Sequence, residues 1–337
     1  MKILISSHAF APDIGGIETV SQLLAGEFVT LEQEVVLVTQ TMTPTGEVFP
    51  FSVLRGPSLG ELRRAIKWCD VYWQNNLSLR TFWPAFSFWR PIVITHQGSY
   101  CRPAVGLDFV QRLKRAVIRR ARSVAISEAV ANCFAMPSRV IPNPFDARLF
   151  SPGPETEARP NELIFVGRLI AEKGLDLLFE ALVYLRAQEI FPGLTIVGDG
   201  PEMASMREMT ARLGLEKQVV FAGAKRGPEL AAIFQRHKIL VVPSRYDEPF
   251  GVVALEGIAS GCAVVGSRGG GLPEAIGPCG LTFPNGDAAA LAMRIAQLLA
   301  APDERARLLA HAPTHLARFH PAVIAQSYLE LFQSLRA

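Results

Sequence analysis

The feature that most constrains this chain is a repeated grammar: short, unbroken apolar runs alternate with helical patterns from end to end. Unbroken rather than alternating hydrophobicity means strands covered on both faces, the mark of parallel sheets flanked by helices. In the first half the runs are KILIS (2–6), EVVLVT (34–39), FSVL (51–54), DVYW (70–73), IVIT (92–95) and SVAI (123–126). In the second half they are ELIFVG (162–167), LTIVG (194–198), VVFAG (219–223), ILVVP (239–243) and AVVG (263–266). Between the halves, residues 141–162 hold five prolines and no periodicity, which reads as a linker.

A chain of 337 residues exceeds one ordinary core and suits two domains of about 150 residues each. The expected architecture is α/β, two Rossmann-like, doubly wound parallel-sheet domains facing across a cleft. Their limits are placed at residues 1–155 and 156–318, and residues 319–337 form a last helix. That tail carries Ile324, Tyr328, Leu331 and Leu335 on one stripe.

Composition narrows the class. Apolar residues make up 49% and charged residues 19%, as in soluble globular domains, and the net charge of +3 argues against a nucleic-acid binder. The five cysteines are scattered without a C-x-x-C pair, so neither a zinc site nor a disulfide framework is expected and a reducing, cytoplasmic setting is. The apolar run Ile3–Ile5 is too short for a signal-peptide core. No run approaches the ~20 residues that span a bilayer, so any membrane contact is expected to be peripheral, at the inner face.

In open parallel sheets, ligands bind beyond the carboxyl ends of the strands. The loops predicted there carry the chemistry. In GRLIAEKG (167–174), Arg168 and Lys173 stand near a helix start predicted at Lys173–Gly174 and running to about Gln188. Fixed cations beside backbone N–H groups suit a phosphate or diphosphate, and their position at a strand end favours that reading over solvated surface charges. DIGGIE (13–18) brings Gly15 and Gly16 to a loop–helix junction where a backbone can approach a ligand closely. It lacks the G-x-G-x-x-G of a dinucleotide site. VGDGP (197–201) reads equally as a turn or a ligand loop.

The segment DEPFGVVALEGIASG (247–261) is the most demanding. A helix starting at Pro249 and capped by Gly261 has one charge, Glu256, among apolar residues, which puts that carboxylate in or near the interior and in need of a partner. Glu248 precedes the helix at the strand edge. The amides of Phe250, Gly251 and Val252 are predicted first-turn donors without helical partners. Two carboxylate acceptors with free amides between them describe a site for hydroxyls and an anion, a sugar with its phosphates.

The spacing E-x7-E in EPFGVVALE (248–256) resembles the signature of retaining glycosyltransferase family 4, which has the GT-B fold. APDIGGIE, ITHQGS, AISEAV, IPNPFD, VGRLIAEKG, IVGDGPE and GGGLPE (269–274) extend the resemblance along the chain in order. It implies a transferase moving a hexose from a nucleoside diphosphate sugar, held mainly by the second domain, to a glycan or lipid-linked acceptor held by the first, in cell-envelope or polysaccharide synthesis. On that carry-over, Glu248 contacts the donor sugar with Phe250 and Gly251, and Glu256 holds the ribose. Arg168, Lys173, Gly251, Val252 and the Gly16 backbone hold the diphosphate. His96 lies beside the sugar, with Gln97 where the family more often has Asp or Gly. A strand-end histidine is otherwise often structural. The last helix is expected to cross back to the first domain. No D-x-D occurs in the strand-end loops and no His/Cys cluster is visible, so neither a metal nor another cofactor is expected. The alternatives are a GT-B sugar-nucleotide epimerase, a NAD-dependent dehydrogenase, and a non-catalytic sugar-binding protein.

Two features bear on the acceptor. All four tryptophans fall between Trp68 and Trp89, with Tyr72, Phe82, Phe86 and Phe88, which reads as a helix packed on the sheet or as an interfacial surface. In QRLKRAVIRRAR (111–122), a helix would place Arg112, Arg115, Arg119 and Arg122 on one face and Leu113 and Val117 on another. A solvated helix explains this, and attraction to anionic lipid is the second reading.

Overall fold

The apolar runs form strands. The computed structural model describes all residues except 14, 43–45, 47, 83, 86–87, 99–117, 134–136, 154–158 and 337. The first sheet contains β1 (Lys2–Ser6), β2 (Glu34–Thr39), β3 (Ser52–Arg55), β4 (Val71–Asn75), β5 (Ile92–His96), β6 (Arg122–Ala125) and β7 (Arg139–Val140). The second contains β8 (Asn161–Val166), β9 (Leu194–Val197), β10 (Val219–Gly223), β11 (His237–Val242), β12 (Ala263–Ser267) and β13 (Gly280–Phe283).

Every pairing is parallel. The orders are β3-β2-β1-β4-β5-β6-β7 and β10-β9-β8-β11-β12-β13. Both sheets grow outward in one direction from their first strand and then return to its other side. The switch points, where flanking loops part and leave a crevice, therefore lie between β1 and β4 and between β8 and β11.

The chain divides into two compact units, Met1–Pro144 with Phe319–Ala337, and Phe145–Arg318. The boundary expected at residue 155 lies outside the described residues. The first core sets Ile3, Ile5, Val71, Trp73 and Val93 against Phe28 of helix Gly16–Thr30. The same core takes Ile324, Tyr328, Leu331 and Phe332 of helix Pro321–Ser334, with Leu335 partly buried at its edge. Tyr328 and Trp73 have ring centroids 4.8 Å apart, and Phe332 and Phe28 5.9 Å. Thr95 Oγ1 accepts from Trp73 Nε1 at 2.9 Å and shares a 2.7 Å hydrogen bond with the Tyr328 hydroxyl, so this core also satisfies its buried polar atoms. The second core packs Leu163, Phe165, Ile239 and Val241 against Leu178, Leu182 and Leu185 of helix Leu175–Arg186 and the apolar face of helix Ala288–Ala300.

Several local expectations are corrected. The loop after β8 forms a 3-10 turn at Ala171–Lys173, and the helix begins only at Leu175 and ends at Arg186. The helix expected from Pro249 begins at Val252, after Gly251. The tryptophans do not share one helix: Trp68 ends helix Leu59–Trp68, Trp73 is buried in β4, and Trp89 is fully exposed. Arg122 opens β6, and Arg119 stands in the turn before it, so the two do not share a helix face. Phe86, Arg112, Leu113, Arg115 and Val117 lie outside the described residues. Cys69, Cys262 and Cys279 are buried free thiols, whereas Cys133 is disulfide-bonded, against the expectation of a chain without disulfides. Among the described residues no helix is long and apolar enough to cross a membrane.

Candidate functional site

In the second unit, the loops leaving β8 and β11 meet at the switch point of the sheet. Lys173 lies on the first and Glu248 on the second, and Lys173 Nζ donates to Glu248 Oε1 at 2.6 Å. Ser244 Oγ donates to the same oxygen at 2.6 Å, and the Tyr246 hydroxyl donates to Oε2 at 2.6 Å. Burial first, and then the Glu248 charge, raise the Tyr246 pKa, so the phenol remains a donor. The Lys173 ammonium also lies 5.3 Å from the Tyr246 ring centroid, within cation–π range. A carboxylate offers about four acceptor positions. Three are filled.

The backbone fixes this cluster. Glu248 makes an isolated parallel bridge to Gly270, and Gly271 N donates to the Glu248 carbonyl at 2.7 Å. A Cβ on Gly270 would fall 2.1 Å from that carbonyl oxygen, so only glycine permits the approach. The GGGLPE segment is therefore a buttress for Glu248. A second clamp joins the two loops: Arg245 Nε and Nη2 donate to the two Asp176 carboxylate oxygens at 3.2 and 2.6 Å, and Arg245 N donates to the Glu172 carbonyl at 2.9 Å.

Gly251 adopts φ 107°, a left-handed conformation that turns the chain into helix Val252–Ala259. Val252 and Val253 thus supply first-turn amides without intrahelical acceptors. The expected donors shift along the chain by about one residue. Phe250, expected at the sugar, is buried. Arg168 is exposed just beyond β8 and makes no ion pair among the described residues.

Glu256 lies one turn into the same helix and is only partly exposed. Burial raises its pKa to about 7, and the Asp146 charge adds to the shift. Asp146 is itself fixed by accepting from Arg148 N at 3.0 Å and Leu149 N at 3.2 Å. A carboxyl in this state gains from hydroxyl donors, because each hydrogen bond to its charged form offsets lost hydration.

In the first unit, Gly16 opens helix Gly16–Thr30 beyond the end of β1 and is exposed. His96 ends β5 and is fully buried, its Nε2 3.2 Å from Ser123 Oγ. Desolvation lowers its pKa to about 4, so the ring is neutral near pH 7. Gln97 and Asn143 exchange a reciprocal pair of amide hydrogen bonds at 3.0 and 2.8 Å, and Gln97 Nε2 also donates to Asn75 Oδ1 at 2.7 Å. The residue that departs from the family pattern is thus held by its own amide clasp.

Lys173 and Glu248, assigned to different ligand groups from the sequence, stand in direct contact. Ser244, Tyr246 and Asp146 were missed. The signal for the first two was position alone: both polar side chains occur in SRYDE, between the end of β11 and Glu248.

Residues 149–315 match the family described as glycosyl transferases group 1. A D-inositol 3-phosphate glycosyltransferase of Stackebrandtia nassauensis is 35% identical over 199 residues, covering 53% of this chain and 45% of that protein. A GDP-mannose-dependent alpha-(1-6)-phosphatidylinositol monomannoside mannosyltransferase of Mycolicibacterium smegmatis is 32% identical over 194 residues, covering 52% of this chain and 50% of that protein. The chain thus spans about half the length of the curated relatives it matches. The crystal structure of Anabaena HepE in complex with UDP and glucose superposes with a TM-score of 0.81 at 22% identity, covering 99% of this chain and 100% of that one. A sucrose-phosphate synthase of Thermosynechococcus elongatus superposes with a TM-score of 0.78 at 23% identity, covering 99% and 98%. The fold is GT-B.

Proposed function

We propose that this chain, whose residues 149–315 match the family described as glycosyl transferases group 1, is a retaining hexosyltransferase. It takes a nucleoside diphosphate sugar as donor and a glycan or lipid-linked acceptor, in cell-envelope or polysaccharide synthesis. The observation that carries this reading is the Lys173–Glu248 pair across the second switch point, beside the first-turn amides of Val252 and Val253.

The donor diphosphate enters between Lys173, Arg168 and those amides. Its charge competes with Glu248 for the Lys173 ammonium, in a charge-assisted contact worth about 1.5–3 kcal/mol. Glu248 then keeps Ser244 and Tyr246 as fixed donors and gains acceptor capacity toward a sugar hydroxyl. A carboxylate so held stabilises positive charge developing on the sugar ring as the bond to the leaving phosphate stretches. Glu256 accepts from the ribose hydroxyls one helical turn away. The leaving diphosphate is stabilised by fixed cations and helix amides, without a metal. In this reading the Gly16 backbone is assigned to the diphosphate, and neutral His96 to the sugar near the acceptor. His96 acts there as a hydrogen-bonding group, since a ring with a pKa near 4 carries no charge at neutral pH.

Calorimetric titration with a panel of UDP-, GDP- and ADP-sugars tests the reading. One nucleotide series should bind, and its nucleoside diphosphate should compete. Absence of binding by every member would overturn it. The epimerase alternative is separated by acceptor-dependent release of nucleoside diphosphate.

A further inference from the structure

The end of the first sheet away from Gly16 and His96 carries a second concentration of charge. Strands β5 and β6 begin there, at Ile92 and Arg122. Arg90, Arg119, Arg120 and Arg122 line one open recess of about 510 Å³, and none of the described residues lining it is acidic. The Arg119 and Arg122 side chains are exposed and make no ion pair or hydrogen bond among the described residues. Arg90 uses one donor on the Lys67 carbonyl at 2.7 Å. Leu335, near the end of the last helix, forms part of the wall. The acidic residue on that helix, Glu330, is already paired with Arg139 at 3.4 Å, and Asp70 is paired with Arg336 at 3.6 Å.

Guanidinium groups converging on one recess raise its positive potential and draw anions. Their planar forks match phosphate oxygens two at a time. One residue before Arg90, Trp89 stands fully exposed. A small soluble anion gains nothing from an indole in open water. The boundary of a bilayer does, since tryptophan places its apolar body among lipid and its N–H at the headgroups.

We propose that this edge of the first unit docks on an anionic phospholipid surface, with headgroup phosphates in the arginine recess and Trp89 at the interface. The site lies at the strand starts, whereas the sugar-transfer reading uses strand ends, so the two readings stand or fall separately.

Co-sedimentation of the full chain with vesicles tests it. Vesicles with about a third phosphatidylglycerol should carry the protein down, and pure phosphatidylcholine vesicles should not. The double variant Arg119→Ala/Arg122→Ala should bind the anionic vesicles about 30-fold more weakly, from the usual contribution of each basic residue. Trp89→Ala should weaken binding at unchanged charge. All three positions are exposed, so the variants should melt with the parent. Equal binding to both vesicle types, no binding to either, or parent-like binding by the variants would overturn the proposal. So would full release by inorganic phosphate at an ionic strength where chloride releases nothing, which would mark a small-anion site instead.

Discussion

Lys173 Nζ and Glu248 Oε1 lie 2.6 Å apart, joining the loops that leave β8 and β11. In the proposed mechanism each would exchange part of this contact for the donor. Glu248 retains two hydroxyl donors when Lys173 is drawn away, so its position does not depend on the lysine.

Lys173→Ala should weaken binding of the nucleoside diphosphate product by about 10- to 100-fold, the loss expected for one charge-assisted contact of roughly 1.5–3 kcal/mol. Calorimetry measures this directly. Unchanged product affinity would reduce Lys173 to a structural partner of Glu248.

The two glutamates should fail differently. In the proposed mechanism Glu248 meets the sugar as positive charge develops, so Glu248→Gln should mostly lower kcat. The ribose contact proposed for Glu256 is the same in the bound donor and the transition state, so Glu256→Ala should mostly raise the donor KM. Steady-state kinetics on variants that melt as single transitions would refute the assignment if the pattern were reversed.

Glu256 also makes stability depend on pH. Its folded pKa of about 7 stands above the ordinary value of 4.5, so the folded chain holds this proton after the unfolded chain has released it. The associated stabilisation is complete below about pH 4.5 and is lost by the time pH has risen past about 7. Glu256→Gln carries no such proton. The stability difference between variant and parent should grow in the variant's favour by about 3 kcal/mol across that window. Urea unfolding at several pH values reads it, and a pH-independent difference would contradict the placement of this carboxyl.

Deleting residues 320–337 removes Tyr328 and Phe332 from Trp73 and Phe28 and takes a hydrogen-bond partner from Thr95. The first unit should then become more sensitive to limited proteolysis. Tyr328→Phe, a milder change, should cost about 1 kcal/mol in thermal or urea unfolding. Equal resistance in the truncated chain would show that the last helix adds little to this core.

Turnover should survive chelation, since Arg168, Lys173 and the first turn of helix Val252–Ala259 supply the positive field that the leaving diphosphate needs. Activity lost in EDTA and restored by Mg²⁺ or Mn²⁺ would refute this.

The strands were legible because each buried run is apolar on both faces. The two that were missed are weak for physical reasons: β7 has two residues, and β13 (GLTF) begins with glycine at the edge of its sheet. Helix starts were misplaced at Pro249 and Lys173 because left-handed glycines, Gly251 and Gly174, stand between those residues and the first helical turn. The charged members of the site were legible from their place at strand ends. Their mutual contact was not, because pairing across a switch point depends on sheet order, which no local pattern encodes. Ser244 and Tyr246 escaped notice for the same reason, as hydroxyls acquire a role only from the carboxylate that the fold sets beside them.

The most direct test follows the anomeric carbon itself. The protein is incubated with an α-linked nucleoside diphosphate hexose and an acceptor glycan, and the reaction is followed by proton NMR. The account predicts acceptor-dependent release of the nucleoside diphosphate together with an α-linked product, and loss of both signals in Glu248→Gln. A β-linked product would contradict retention, and a donor sugar that changes configuration while still attached to its nucleotide would contradict transfer altogether.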